Sequence, residues 1–160
     1  MGNGKDEAPE LRRDSPLAPD VAPVLARHLA MMRAASPPES VHALPADALA
    51  GPDVAFYSLR AGGQVLAIGA IRRIAPGHHE IKSMHVVAEA RGRGLSRRML
   101  GHLIAAARAD GARRISLETG IEDAFIPARA LYAAAGFAPC GPFGDYGPDP
   151  HSVFMTRALD

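Results

Sequence analysis

The run from Glu80 to Ser96, EIKSMHVVAEARGRGLS, most narrows what this chain can fold into. It joins an extended stretch to a glycine-rich corner, after which Leu95, Met99, Leu100, Leu103, Ile104 and Ala107 recur at helical spacing. A corner carrying Gly92 and Gly94 lets backbone approach a ligand closely. The first N–H groups of the helix that follows lack intrahelical acceptors and sit at the positive end of its dipole, an arrangement that binds phosphate. Strand, glycine corner and helix also begin dinucleotide-binding units, so the neighbours of the corner must decide between readings.

Those neighbours are a meander on one side and a crossover on the other. Residues 54–60, 64–74 and 79–87 read as three strands, joined by Ala61-Gly62-Gly63 and by a turn at 75–78. The helix after Gly94 ends near Asp110-Gly111, and residues 113–119 read as a strand parallel to the one before that helix. A loop at 121–125, a helix at 127–135 stopped by Gly136, and strands at 137–140 and 152–158 complete the chain. Ahead of the meander, residues 8–13 predict a short strand, and Asp20 reads as the cap of a helix reaching about Ala34. A proline-broken loop at 36–42 and a short helix at 45–50 follow.

With 160 residues, 48% of them hydrophobic, the chain has material for one core and is too short for two ordinary domains. The expectation is a loose tail over residues 1–8 and a single domain over 9–160. Net charge is +1 and the arginines are scattered, which argues against a nucleic-acid partner. No apolar stretch approaches the roughly 18 residues of a membrane span, and the lone Cys140 rules out an internal disulfide framework. A cytoplasmic location is expected. His78 and His79 lack Cys partners or helical ligand spacing, so no metal is expected.

The element order resembles the GNAT superfamily of acyl-CoA-dependent N-acetyltransferases over nearly the whole chain, in particular a bacterial subgroup labelled only as acetyltransferases. The family's corner signature is Gln or Arg, two variable residues, Gly, one variable residue, then Gly or Ala. Here it reads Arg91-Gly-Arg-Gly94-Leu-Ser96, with Ser for the last small residue. A second family pattern, Ala-x-x-Leu-Tyr-x-x-x-Gly-Phe, stands at Ala128, Leu131, Tyr132, Gly136 and Phe137. Where the family often carries Asn, seven residues before that Tyr, this chain has Phe125. The resemblance implies an α/β fold: a mixed, mostly antiparallel sheet of about six or seven strands flanked by about four helices.

It also implies acetyl-CoA as co-substrate and direct attack by a primary amine of a small molecule, in a monomer or homodimer. A protein amine as acceptor, or a catalytically silent acyl-CoA-binding module, are the alternatives. Arg91, Gly92, Arg93, Gly94, Leu95, Ser96 and Arg97 would hold the pyrophosphate, and Met84, His85 and Val86 would lie along the pantetheine. A backbone N–H near Val86 would polarise the thioester carbonyl. Tyr132 is the implied general acid. Glu80, eleven residues before Arg91, stands where some family members place a carboxylate base, and a salt bridge to Lys82 or an Arg is the competing role. His42 and His85 are further candidate bases, and Glu118, Phe143, Asp145, Tyr146 and His151 belong to segments lining the acceptor cleft in the family. An acidic group such as Glu39, Glu118 or Asp145 would suit an ammonium-bearing acceptor.

Overall fold

The computed structural model describes residues 8–160, so the tail expected over residues 1–8 lies, except for Ala8, outside the described residues. The elements are β1 (Glu10–Arg13), α1 (Ala22–Ala35), α2 (Ala46–Leu49), β2 (Val54–Ala61), β3 (Gln64–Ala75), β4 (His78–Val86), α3 (Leu95–Ala109), β5 (Arg114–Gly120), α4 (Ile126–Ala134), β6 (Ala138–Cys140) and β7 (Ser152–Ala158). Single 3-10 turns stand in the connections at Pro38–Ser40, Ala88–Ala90 and Asp123–Phe125. One seven-stranded sheet runs in the order β1-β2-β3-β4-β5-β7-β6. Every neighbouring pair is antiparallel except β4 and β5, which are parallel because α3 carries the chain back across the sheet.

Successive side chains of β3 serve opposite faces of the sheet. Gly69 faces α3 so closely that a Cβ there would meet Leu103 Cδ1 and Met99 Cγ at 3.0 Å. Its neighbour Ile68 pairs with His85, which meets His28 of α1 on the other face. The buried residues that join these layers include Phe56, Leu59, Ile68, Met99, Leu103 and Ile115. Among the described residues no helix is long and apolar enough to cross a membrane.

Strand β4 carries one residue more than β3 at its centre: Ile68 pairs with His85 but Ala70 with Lys82, so three steps of β4 span two of β3. Ser83 within this bulge takes φ +52°, the only positive φ of a non-glycine among the described residues. A bulge bends and twists its strand, and the parallel ladder between β4 and β5 is confined to His78–Glu80 against Arg114–Ser116. Beyond those three pairs the strands part and a gap opens between them.

The start of α1 departs from expectation. Its N-cap is Val21, with no side-chain capping bond, and a proline occupies the first turn. Asp20 instead pairs with the Arg60 guanidinium, which also binds Asp14 at 2.8 Å. A guanidinium shared by two carboxylates makes several charge-assisted hydrogen bonds, stronger than the single bond a cap would supply.

Candidate active site

The gap between β4 and β5 is the floor of a cleft whose walls include His28 of α1, Glu80, Lys82 and Met84 of β4, Glu118 of β5 and Tyr132 of α4. His42 and Tyr146 reach it from loops. Tyr132 is buried, with its ring edge-on to Phe137 at 6.0 Å between centroids. Burial, and then the charge of Glu118, push its hydroxyl up to about 12. It therefore holds its proton at neutral pH, and among the described residues its O–H donates to no protein group.

Glu118 sits half-buried on β5, where desolvation raises its carboxyl to about 7 and the attraction of Lys82 offsets only part of that. A carboxylate titrating near neutrality can take a proton and pass it on. Glu80 is placed differently. Its Oε2 accepts the Tyr146 hydroxyl at 2.5 Å and faces Lys82 Nζ at 3.3 Å, while Lys82 Nζ also donates to the Tyr146 oxygen at 2.6 Å and to the His42 carbonyl at 3.2 Å. Of the two roles open to Glu80, the salt bridge is the one its surroundings form. Burial, followed by the charge of Glu80, pushes the Tyr146 phenol far above its ordinary range.

The histidines are similarly engaged. His85 Nδ1 lies 3.2 Å from His28 Nδ1, and both rings are buried. Desolvation drives each down to about 4, helped by the partner ring for His28 and by Arg91 and Arg27 for His85. Two neutral rings share one hydrogen bond there, and His85 turns toward α1 as a poor base at neutral pH. His42 Nε2 lies 3.3 Å from Asp149 Oδ2 and its ring is edge-on to Tyr146. Phe143 packs against His78, Tyr146 and Phe154, and Asp145 is exposed beside it. His151 is held by Glu122 at 3.1 Å and Glu39 is exposed; neither reaches the cleft floor.

Where family members often carry Asn, the Phe125 ring lies over the end of β5, so close that a Cβ on Gly120 would sit 2.2 Å from it. At that position this chain has packing of a ring on the strand end. Arg129 Nη1 donates to the Gly120 carbonyl at 2.6 Å, tying α4 to the same strand end.

At the corner Gly92 takes φ +78° and Gly94 φ +74°; Gly94 caps α3 in the left-handed conformation without a side-chain bond. A Cβ at either glycine would meet nothing within 4 Å, so the requirement is for backbone conformation and for open space on the outside. Arg91, Arg93, Arg97 and Arg98 are all exposed around these N–H groups. Such a corner fits a pyrophosphate. Along the gap, the β5-facing edge of residues 84–86 makes no ladder with β5, leaving strand backbone for an extended ligand arm.

Two residues around the cleft escaped sequence reasoning in these roles: His28 in its wall and Asp149 behind His42. His28 carried a signal, a histidine within an otherwise apolar helix stripe. Asp149 carried none, because its partner His42 lies far along the chain.

The Acetyltransferase (GNAT) family pattern matches residues 24–137. Over 139 residues the chain is 44% identical to the uncharacterized N-acetyltransferase YsnE of Bacillus subtilis strain 168, covering 87% of this chain and 92% of that one. A solved structure described as an acyl-CoA N-acyltransferase from Klebsiella pneumoniae superposes with a TM-score of 0.79 at 27% identity, over 99% of this chain and 100% of the other. The Bacillus subtilis acetyltransferase solved in complex with CoA shares the fold at a TM-score of 0.69 and 17% identity, over 95% and 99% of the two chains. Whatever the acceptor, the meander, the glycine corner and these likenesses lead to one assignment: the chain is an acyltransferase and belongs to the GNAT acetyltransferase family.

Proposed function

We propose that this acyltransferase moves acetyl from acetyl-CoA to a primary amine of a small molecule by direct attack in a ternary complex. The observation that carries the reading is the parting of β4 and β5, because one opening runs past Met84 and is lined by both Glu118 and Tyr132. The N–H groups of residues 92–97, with Arg91, Arg93 and Arg97 around them, hold the pyrophosphate. The free edge of residues 84–86 pairs with the pantetheine, and the Val86 N–H polarises the thioester carbonyl.

Glu118 accepts the proton that frees the amine lone pair. The amine nitrogen attacks the carbonyl carbon, the C–S bond breaks and Tyr132 gives its proton to the departing thiolate; the nitrogen sheds its surplus proton to water in the cleft and Glu118 releases the proton it took to solvent, leaving an amide and CoA thiol. Tyr132 recovers a proton from solvent through the cleft. Glu80, held by Lys82 and Tyr146, orders the acceptor side.

Thiol release from acetyl-CoA across a panel of amines, with products identified by mass spectrometry, tests the reading. Amine-dependent release with a mass gain of one acetyl group is expected. Tight acetyl-CoA binding without amine-dependent release from any acceptor would overturn it.

A further inference from the structure

Beside the reacting cleft lies a second cavity of about 490 Å³. The two share His42, Ala43, Glu80, Lys82 and Tyr146, so the Glu80–Lys82–Tyr146 cluster stands between them as a common wall. A molecule whose amine reaches the thioester past this wall leaves the rest of itself in the outer cavity. What lines that cavity therefore reports on the part of the acceptor that does not react.

Its charges can be matched one by one. Glu80 and Lys82 neutralise each other at 3.3 Å, and Arg73 is taken by Asp110 at 2.6 Å. His42, at the rim, faces Asp149. Asp53 and Asp145 are exposed at the mouth, where water screens them. The remaining charge is Arg72, half-buried on β3 and directly opposite Glu80 in the strand register, which forms no salt bridge among the described residues. Arg72 lines the cavity together with Lys82, and the rings of Phe143 and Tyr146 form its apolar side.

A guanidinium on the inner wall of a pocket without a carboxylate partner is a place for an anion. Its planar pair of donors matches a carboxylate in bidentate fashion, and the aromatic pair accommodates an apolar body. We propose that the acceptor is an amino carboxylate, whose carboxylate is held by Arg72 while its amine enters the cleft past Lys82 and Tyr146. The Glu80–Lys82 pair makes this possible by removing Glu80 as a competing partner for Arg72. The assignment rests on the acetyl-transfer reading above and names its substrate class.

The test uses the full chain, acetyl-CoA and matched acceptors: aromatic and aliphatic amino acids, their carboxamides, their decarboxylated amines, and aminoalkyl phosphonates. The carboxylate should raise kcat/KM by about 10- to 100-fold over the carboxamide and the amine, as expected for one charge-assisted contact. Arg72→Gln should raise KM for the best amino carboxylate by a similar factor while the Kd for CoA, measured by calorimetry, stays within about twofold. Decarboxylated amines or carboxamides turned over as well as the amino acids would overturn the proposal and leave acetyl transfer standing. So would a preference for the phosphonate, or an Arg72→Gln protein with unchanged KM. No turnover of any acceptor in any class would instead strike the acetyl-transfer reading itself.

Discussion

At the scale of single residues, two buried features pull the acid response of the protein in opposite directions. Glu118 holds its proton more tightly folded than unfolded, its carboxyl being raised from 4.5 to about 7 by burial. Its contribution to stability is complete below 4.5 and is lost as pH rises through about 7. His28 and His85 are depressed from 6.5 to about 4, so their contribution is complete above 6.5 and is lost as pH falls through about 4. Between pH 4.5 and 6.5 the two slopes oppose each other, and the wild-type curve is flatter than either cause alone. Glu118→Gln should therefore gain on the order of 1–3 kcal/mol at pH 8 and little at pH 4.5, read by urea denaturation. His28→Leu with His85→Leu should lose the fall in stability between pH 6.5 and 4, whatever its value at pH 8. In catalysis, Glu118→Gln should abolish the limb of the kcat/KM profile near pH 7. Tyr132→Phe should slow the chemical step by about 10²–10⁴-fold in a single-turnover assay, with acetyl-CoA affinity retained. A rate unchanged where chemistry limits would assign the proton to another donor.

At the scale of elements, legibility followed locality. The corner and α3 could be read because glycines, signature and apolar spacing all lie within thirty residues of chain. The meander was equally plain, since its turns are short. The bulge of β4 was not, because Ser83 gives no turn signal and its φ of +52° is imposed by neighbouring strands. Asp20 was misread as a cap because its stronger partner, Arg60, lies forty residues away. The end of β5 shows the same rule from the other side: Phe125 marked a departure from the family pattern, and only the fold reveals that it rests on Gly120. Gly120→Ala cannot keep that contact, and the expected outcome is a loss of about 1–3 kcal/mol with a drop in acetyl transfer, since Arg129 ties α4 and so Tyr132 to the same strand end. Thermal denaturation and kcat measured on one preparation would check both.

At the scale of the molecule, the order of elements and the mixed sheet were legible from sequence, as was the glycine corner that opens α3. The partners inside the cleft were not. Glu80 and Tyr146 are 66 residues apart and Lys82 and Tyr146 are 64 apart, so a short sequence window sees each as an isolated polar residue. Only closure of the sheet decides whether Glu80 faces a cation or a substrate. The same closure is uneven, with seven pairs joining β5 to β7 and three joining β4 to β5. Amide hydrogen exchange should find the Met84 and Val86 amides, which face the gap, poorly protected in the free protein and strongly protected with CoA bound, while the His85 amide, turned to β3, is protected in both; equal exchange of Met84 and Val86 in both states would contradict the pantetheine path.

Those three pairs also bear on turnover. The sheet is two ladders, β1 to β4 and β5 to β7, joined at a short seam, and on the pantetheine path proposed above a ligand laid along the opening would contribute rungs that the chain itself leaves out. For as long as it is bound, the co-substrate would then be a structural member as well as a reactant. Letting the spent thiol go would mean undoing part of the sheet, so the step that empties the cleft and the step that loosens the scaffold would become the same event.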